Sequence, residues 1–133
     1  MRLNHITLAV ADVEVSAGFY GRLGLTQIVA AYPEYARFLA PEGDTTLSLQ
    51  RAESMPTAPS STSIHFEVND VDATLAALKG RGFRFFSDPV DEPYLWREAV
   101  LLDPDGNRIF IYHAGVNRLD PPWRLPDGGK QAG

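Results

Sequence analysis

LNHITLAVADVEVSAGFYGRLGL, residues 3–25, recurs in altered form as SIHFEVNDVDATLAALKGRGF, residues 63–83. At a displacement of 58 positions Ile6 falls on Ile64, Val10 on Val68, Asp12 on Asp70, Val13 on Val71 and Gly24 on Gly82. Both copies change from strand-like alternation to helical spacing at the aspartate. Five matches at one offset, with the same change of period, indicate two copies of one structural module.

Within the first copy, Ile6, Leu8 and Val10 alternate with His5, Thr7 and Ala9, giving a strand with an apolar face and a polar one. Asp12 is placed to cap a helix carrying Val15, Phe19 and Leu23, with Gly24 as its stop. Residues 26–31, 35–39 and 45–50 read as three further strands, separated by Tyr32-Pro33 and by the turn PEGD at 41–44. The first module, 3–50, is therefore β-α-β-β-β. Residues 51–62, RAESMPTAPSST, lack periodicity and form a linker. The second module, 63–113, repeats the order: a strand at 64–68, a helix capped by Asp70 with Val71, Leu75 and Leu78 inward, and strands at 83–86 and 94–102. The turn DPDGN at 103–107 leads into a last strand at 108–112. Residues 114–133 are rich in proline, glycine and charge. They are expected to be extended or partly disordered, with Trp123 as an anchor over the domain or onto a partner subunit.

The composition is that of an ordinary globular chain, 44% hydrophobic and 22% charged over 133 residues. A net charge of -5 gives no pull toward nucleic acid or anionic membrane. With no cysteine, disulfides, thiolate metal sites and a cysteine nucleophile are excluded. The opening residues resemble no signal peptide, and no apolar run approaches ~20 residues. A soluble, cytoplasmic protein is expected. No glycine-rich phosphate loop and no Gly-x-Ser-x-Gly is present.

HITLAVADV near the start, FY and LGL on the first helix, FEVNDVDA opening the second half and DPDGNRI near the end together resemble the vicinal oxygen chelate superfamily. That superfamily includes glyoxalase I, extradiol dioxygenases and bleomycin-resistance proteins. The resemblance spans roughly residues 3–113 and implies an α+β fold of two tandem β-α-β-β-β modules whose curved sheets form a shared cleft. It also implies homodimers, and a divalent metal held by one ligand from each of four strands. The first ligand position falls on His5, and the other three fall on Ser48, Ser63 and Phe110. Serine is a poor ligand for a divalent ion and phenylalanine is none, so the four-ligand site is incomplete.

His65 and Glu67 share a strand face with Ser63. With His5 they would supply two imidazoles and a carboxylate, the ligand types of a non-haem iron site. His65 nevertheless stands about 6–7 Å along the strand from the usual position. The plainer reading makes His65 a polar wall residue hydrogen-bonded to Glu67 or a ligand. In the same way His5 would hold only a neighbour or a ligand.

Alternation places Ser48, Gln50, Ser63, His65, Phe110 and Tyr112 on the wall of a substrate-binding cleft. Around WRE the phase is open: either Trp96 and Glu98 or Leu95 and Arg97 face inward. WRE reads as a solvated rim with one salt-bridged pair or as an aromatic and charged clamp. Two functional classes follow. One is a protein that binds a small organic molecule with a degenerate metal site. The other is an active metal-dependent lyase, isomerase or dioxygenase using a displaced ligand set. A metal-free enzyme with His5 or His65 as general base and Glu67 orienting it stands beside them.

Overall fold

The computed structural model describes residues 1–126. Its elements run β1 (His5–Val10), α1 (Val13–Leu23), β2 (Thr26–Ala31), β3 (Tyr35–Leu39), β4 (Thr46–Arg51), β5 (Ser63–Glu67), α2 (Val71–Gly80), β6 (Val90–Asp91), β7 (Arg97–Leu102) and β8 (Arg108–His113). Two four-stranded sheets result, ordered β1-β4-β3-β2 and β5-β8-β7-β6. This is the expected α+β architecture of two matching modules. The chain divides into two compact units, 1–62 with 102–108 and 63–101 with 109 onward.

The repeat survives down to backbone angles. Asp12 caps α1 at φ -134°, ψ 104° and Asp70 caps α2 at φ -135°, ψ 101°; each carboxylate accepts a backbone N–H from the first turn. Gly24 and Gly82 both take positive φ, 126° and 92°, where a side chain would be strained. In the first unit β1 runs parallel to β4, and β3 pairs antiparallel with both β4 and β2. Val10, Tyr20, Phe38 and Leu49 are fully buried there, each contributing roughly 1.5–3 kcal/mol. Helix α1 departs from expectation at Val15, which is 56% exposed. Its inward stripe runs instead through Val13, Ser16, Ala17, Phe19, Tyr20 and Leu23. Ile6 is likewise exposed, while Leu8 and Val10 on the same face are buried.

The turn at 103–107 explains why Ser16 and Tyr20 are buried. Asp103 Oδ1 accepts the N–H groups of Asp105 and Asn107, and its Oδ2 accepts Asn107 Nδ2 and the Tyr20 hydroxyl at 2.6 Å. Asp105 accepts Ala11 N–H and Ser16 Oγ–H. Burial, then the Asp103 carboxylate, push the Tyr20 phenol far above its ordinary pKa. The turn is thereby fastened to both ends of the β1–α1 connection.

In the second unit Val71, Leu75, Leu78, Phe83, Ala99, Leu101, Ile109 and Ile111 form the core. The expected strand at 83–86 does not form. Phe83 caps the core just after α2, and a bend at 86–88 ends before Pro89. The edge strand is instead the two-residue β6. β7 begins at Arg97 rather than Tyr94. Tyr94 and Leu95 lie in a turn after Pro93, closed by Leu95 N–H to Glu92 O, with Leu95 at φ 68°. The expected extended tail contains a 3-10 helix, Gly115–Arg118, and its last part, 127–133, lies outside the described residues.

Candidate functional site

Alternation along three neighbouring strands puts a set of aromatic rings on the sheet face of the second unit that its core leaves free. On β8, Ile109 and Ile111 go into the core, so Phe110 and Tyr112 project the other way. On β7, Arg97, Ala99 and Leu101 share the core-side phase, leaving Trp96 and Glu98 beside Phe110. The open phase of WRE is settled by Arg97, which makes a bidentate pair with Asp72 of α2 at 2.9 Å and a second with Asp91 at 3.1 Å. Arg97 thus makes ion pairs with two carboxylates, and its two neighbours Trp96 and Glu98 line a cavity.

His65 of β5 joins this face. Its ring stacks on Phe110 with centroids 4.3 Å apart and 2° between planes, and stands edge-on to Tyr112 at 5.5 Å and to Trp96 at 6.0 Å. Trp96 stacks on Tyr112 at 4.7 Å, and Tyr94 meets Trp96 edge-on at 5.8 Å. The chain after β8 then returns over the rings. His65, Tyr94, Trp96, Glu98, Phe110, Asn117, Arg118, Pro121 and Trp123 line a cavity of about 450 Å³. Both tryptophans of the protein face it.

Glu67 holds that return in place. Its Oε2 accepts Ala114 N–H at 2.8 Å and Gly115 N–H at 2.9 Å, and Arg118 Nε approaches Oε1 at 3.6 Å. Burial works against the charge, but the two amides, then Arg118 and His113, outweigh it and hold the carboxyl below its ordinary range. Its carboxylate thus anchors the segment after β8. His113 points away from Phe110 and its Nδ1 lies 2.8 Å from Val68 O.

Of the remaining site candidates, His5, Ser48 and Gln50 lie in the first unit. His5 Nδ1 is 2.6 Å from Thr46 Oγ1, and Nε2 is 3.3 Å from Thr7 Oγ1 and 3.2 Å from Ser48 Oγ. Ser48, fully buried, shares a short hydrogen bond with the Tyr35 hydroxyl, which also accepts from Arg37 Nε at 2.9 Å. The Ser48 bond, with help from Arg37, lowers the Tyr35 phenol pKa against a smaller opposing effect of burial. Gln50 donates to Glu34 O instead of joining this cluster, and Ser63 is exposed at the start of β5. Tyr94 carries no periodic signal in the sequence, because it lies in a turn.

The donor set at His5 is one imidazole among hydroxyls, with both ring nitrogens within hydrogen-bond distance of them. It does not fit a resident divalent ion, which calls for several imidazoles or carboxylates. Of the other positions implied by the resemblance, Phe110 is an apolar ring stacked on His65. Among the described residues no three His, Asp or Glu side chains gather as a metal centre requires.

Comparison with known proteins agrees with this architecture. The profile of the Glyoxalase/Bleomycin resistance protein/Dioxygenase superfamily matches residues 2–111. A putative glyoxylase, CFP32, from Mycobacterium bovis and from Mycobacterium tuberculosis is 36% identical over 64 residues, 48% of this chain and 24% of those proteins. The match thus spans about a quarter of the length of these relatives. A glyoxalase/bleomycin resistance protein/dioxygenase from Nocardioides superposes with a TM-score of 0.72 at 22% identity, covering 86% of this chain and 83% of its own. A bleomycin-binding protein complexed with bleomycin gives 0.69 at 20% identity, covering 86% and 99%.

Proposed function

The chain belongs to the glyoxalase/bleomycin resistance protein/dioxygenase superfamily, and on that premise we propose that it binds a small organic molecule in the aromatic cavity of its second unit, without a resident metal. The observation that carries this reading is the ring set His65, Trp96, Phe110 and Tyr112, roofed by Trp123. Pockets for organic ligands combine apolar walls with a few placed polar groups, and a cavity of about 450 Å³ is of that size. Flat ligands gain from offset or edge contacts with such rings. A protein of the same fold is complexed with bleomycin, which agrees with binding in this family. The hydroxyl-bound His5 supports the metal-free half of the reading. By resemblance to the family we propose a homodimer, and we propose a cytoplasmic location.

The test uses the two tryptophans as reporters. Both line the cavity, so planar aromatic compounds should quench intrinsic fluorescence saturably and shift both indole N–H resonances. Trp96→Ala should weaken binding at least tenfold. Saturable binding that leaves both indole resonances unmoved would place the ligand elsewhere and end the proposal.

A further inference from the structure

Glu98 is a charged group on the wall of an aromatic cavity. It is 8% exposed, and its carboxylate accepts the Tyr94 hydroxyl proton in a short hydrogen bond. Burial, then Glu98 itself, raises the Tyr94 phenol pKa well above its ordinary value, so the phenol stays a donor. The described ion pairs of this unit join Arg97 to Asp72 and Asp91, Lys79 to Asp88, and Arg118 and His113 to Glu67. Glu98 takes part in none of them. A buried carboxylate without an ion-pair partner is costly, and a single hydroxyl offsets only part of that cost.

The surroundings favour one kind of counter-charge. Ring faces carry negative potential and attract cations, and four aromatic residues, Tyr94, Trp96, Phe110 and Trp123, share the cavity with Glu98. Arg118 also lines it, but its charge is directed to Glu67 at 3.6 Å. The net charge of -5 adds a long-range attraction of the same sign.

From this geometry we infer that the ligand of the cavity is an organic cation, with an apolar or aromatic body against the rings and an ammonium or guanidinium head at Glu98. The inference rests on the cavity reading above and narrows it to a charge class. Neutral and anionic molecules of the same shape lack the partner that Glu98 requires, and an anion is repelled by it.

The experiment is a matched series on the full chain: 2-naphthylmethylammonium, 2-naphthylmethanol and 2-naphthoate, titrated at pH 7 while the two indole N–H resonances are followed. The cation is expected to bind about tenfold more tightly than the alcohol, the size of a desolvated cation–aromatic and charge contact. The naphthoate should bind most weakly. In Glu98→Gln the preference for the cation over the alcohol should disappear. Equal binding of all three by the wild-type protein would overturn the cation inference and leave the cavity reading standing, as would a preference for naphthoate. Indole resonances unmoved by every probe would overturn both. The wild-type ranking decides the matter even where Glu98→Gln fails to fold.

Discussion

His65 lies flat on Phe110, with ring centroids 4.3 Å apart and 2° between their planes. Phe110 stands where the superfamily resemblance implies a metal ligand, so the position now supplies an apolar surface. The ring pair forms one wall of the cavity.

Removing that wall should be felt twice. Phe110→Ala is expected to cost about 2 kcal/mol of stability, less than for a fully buried ring because Phe110 is half-buried. It should also reduce affinity for planar ligands about tenfold. Urea unfolding and ligand titration check the two effects, and unchanged affinity would show that the stack does not contact the ligand.

Glu67 ties the chain after β8 to the sheet through the amides of Ala114 and Gly115. Its folded pKa lies below its unfolded one. Its stabilising contribution is therefore present above the unfolded glutamate range, about 4.3, and is lost as pH falls through the lower folded value. Hydrogen-exchange protection of the two amides, relative to their intrinsic rates, should fall under acid more than global stability does. Glu67→Gln should lower that protection at neutral pH and remove its pH dependence. Protection in the variant equal to that of the wild type would contradict the anchoring role.

Tyr20 and Asp103 join α1 to the turn at 103–107 through a buried 2.6 Å bond. Tyr20→Phe leaves the carboxylate three donors and should cost about 2 kcal/mol, the range for bonds to charged groups. Asp103→Ala orphans the phenol, two backbone amides and the Asn107 side-chain amide together and should cost more. Denaturant midpoints should fall in that order at constant slope; a reversed order would mean that the turn holds itself without the helix.

In the first unit the Tyr35 phenol should ionise below its ordinary value of about 10. NMR with tyrosine labelled at Cζ reads this directly. Ser48→Ala should move the transition upward by removing the largest cause, and Arg37→Met should move it less. A Tyr35 transition that ignores Ser48 would dissolve the hydrogen-bonded chain described around His5.

Elemental analysis of protein purified without chelator should give divalent metal at background, unchanged by His5→Ala and by added nickel, zinc, manganese or anaerobic iron. Near one ion per chain, lost in His5→Ala, would restore a metal centre and with it the enzymatic reading.

The repeat itself was enough to determine the fold. Asp12 and Asp70, Gly24 and Gly82, and the shared change of period at each aspartate are local signals, since capping and turn conformations depend on residues a few positions apart. That Phe110 and Tyr112 share one face of β8, opposite Ile109 and Ile111, also followed from alternation, which is geometric once a strand is recognised. Local signals misled where prolines interrupted them. Phe83 to Phe86 has strand-like residues, but Pro89 and Pro93 and the core position of Phe83 leave only Val90–Asp91 as the edge strand.

Tertiary structure decided the charged groups of the candidate site. The choice between Trp96 with Glu98 and Leu95 with Arg97 depended on where Asp72 and Asp91 sit when the chain is folded, because only an ion pair across elements breaks the tie in a two-residue period. The engagement of Glu67 with the amides of Ala114 and Gly115 spans 47 and 48 residues, and no local pattern reports it. The same holds for Glu98, whose burial beside Tyr94 and the rings of three other segments exists only once those segments meet. The sequence by itself determined the two modules and their caps, because those depend on near neighbours. The charge and walls of the cavity arise from residues far apart in the chain, and folding alone brings them together.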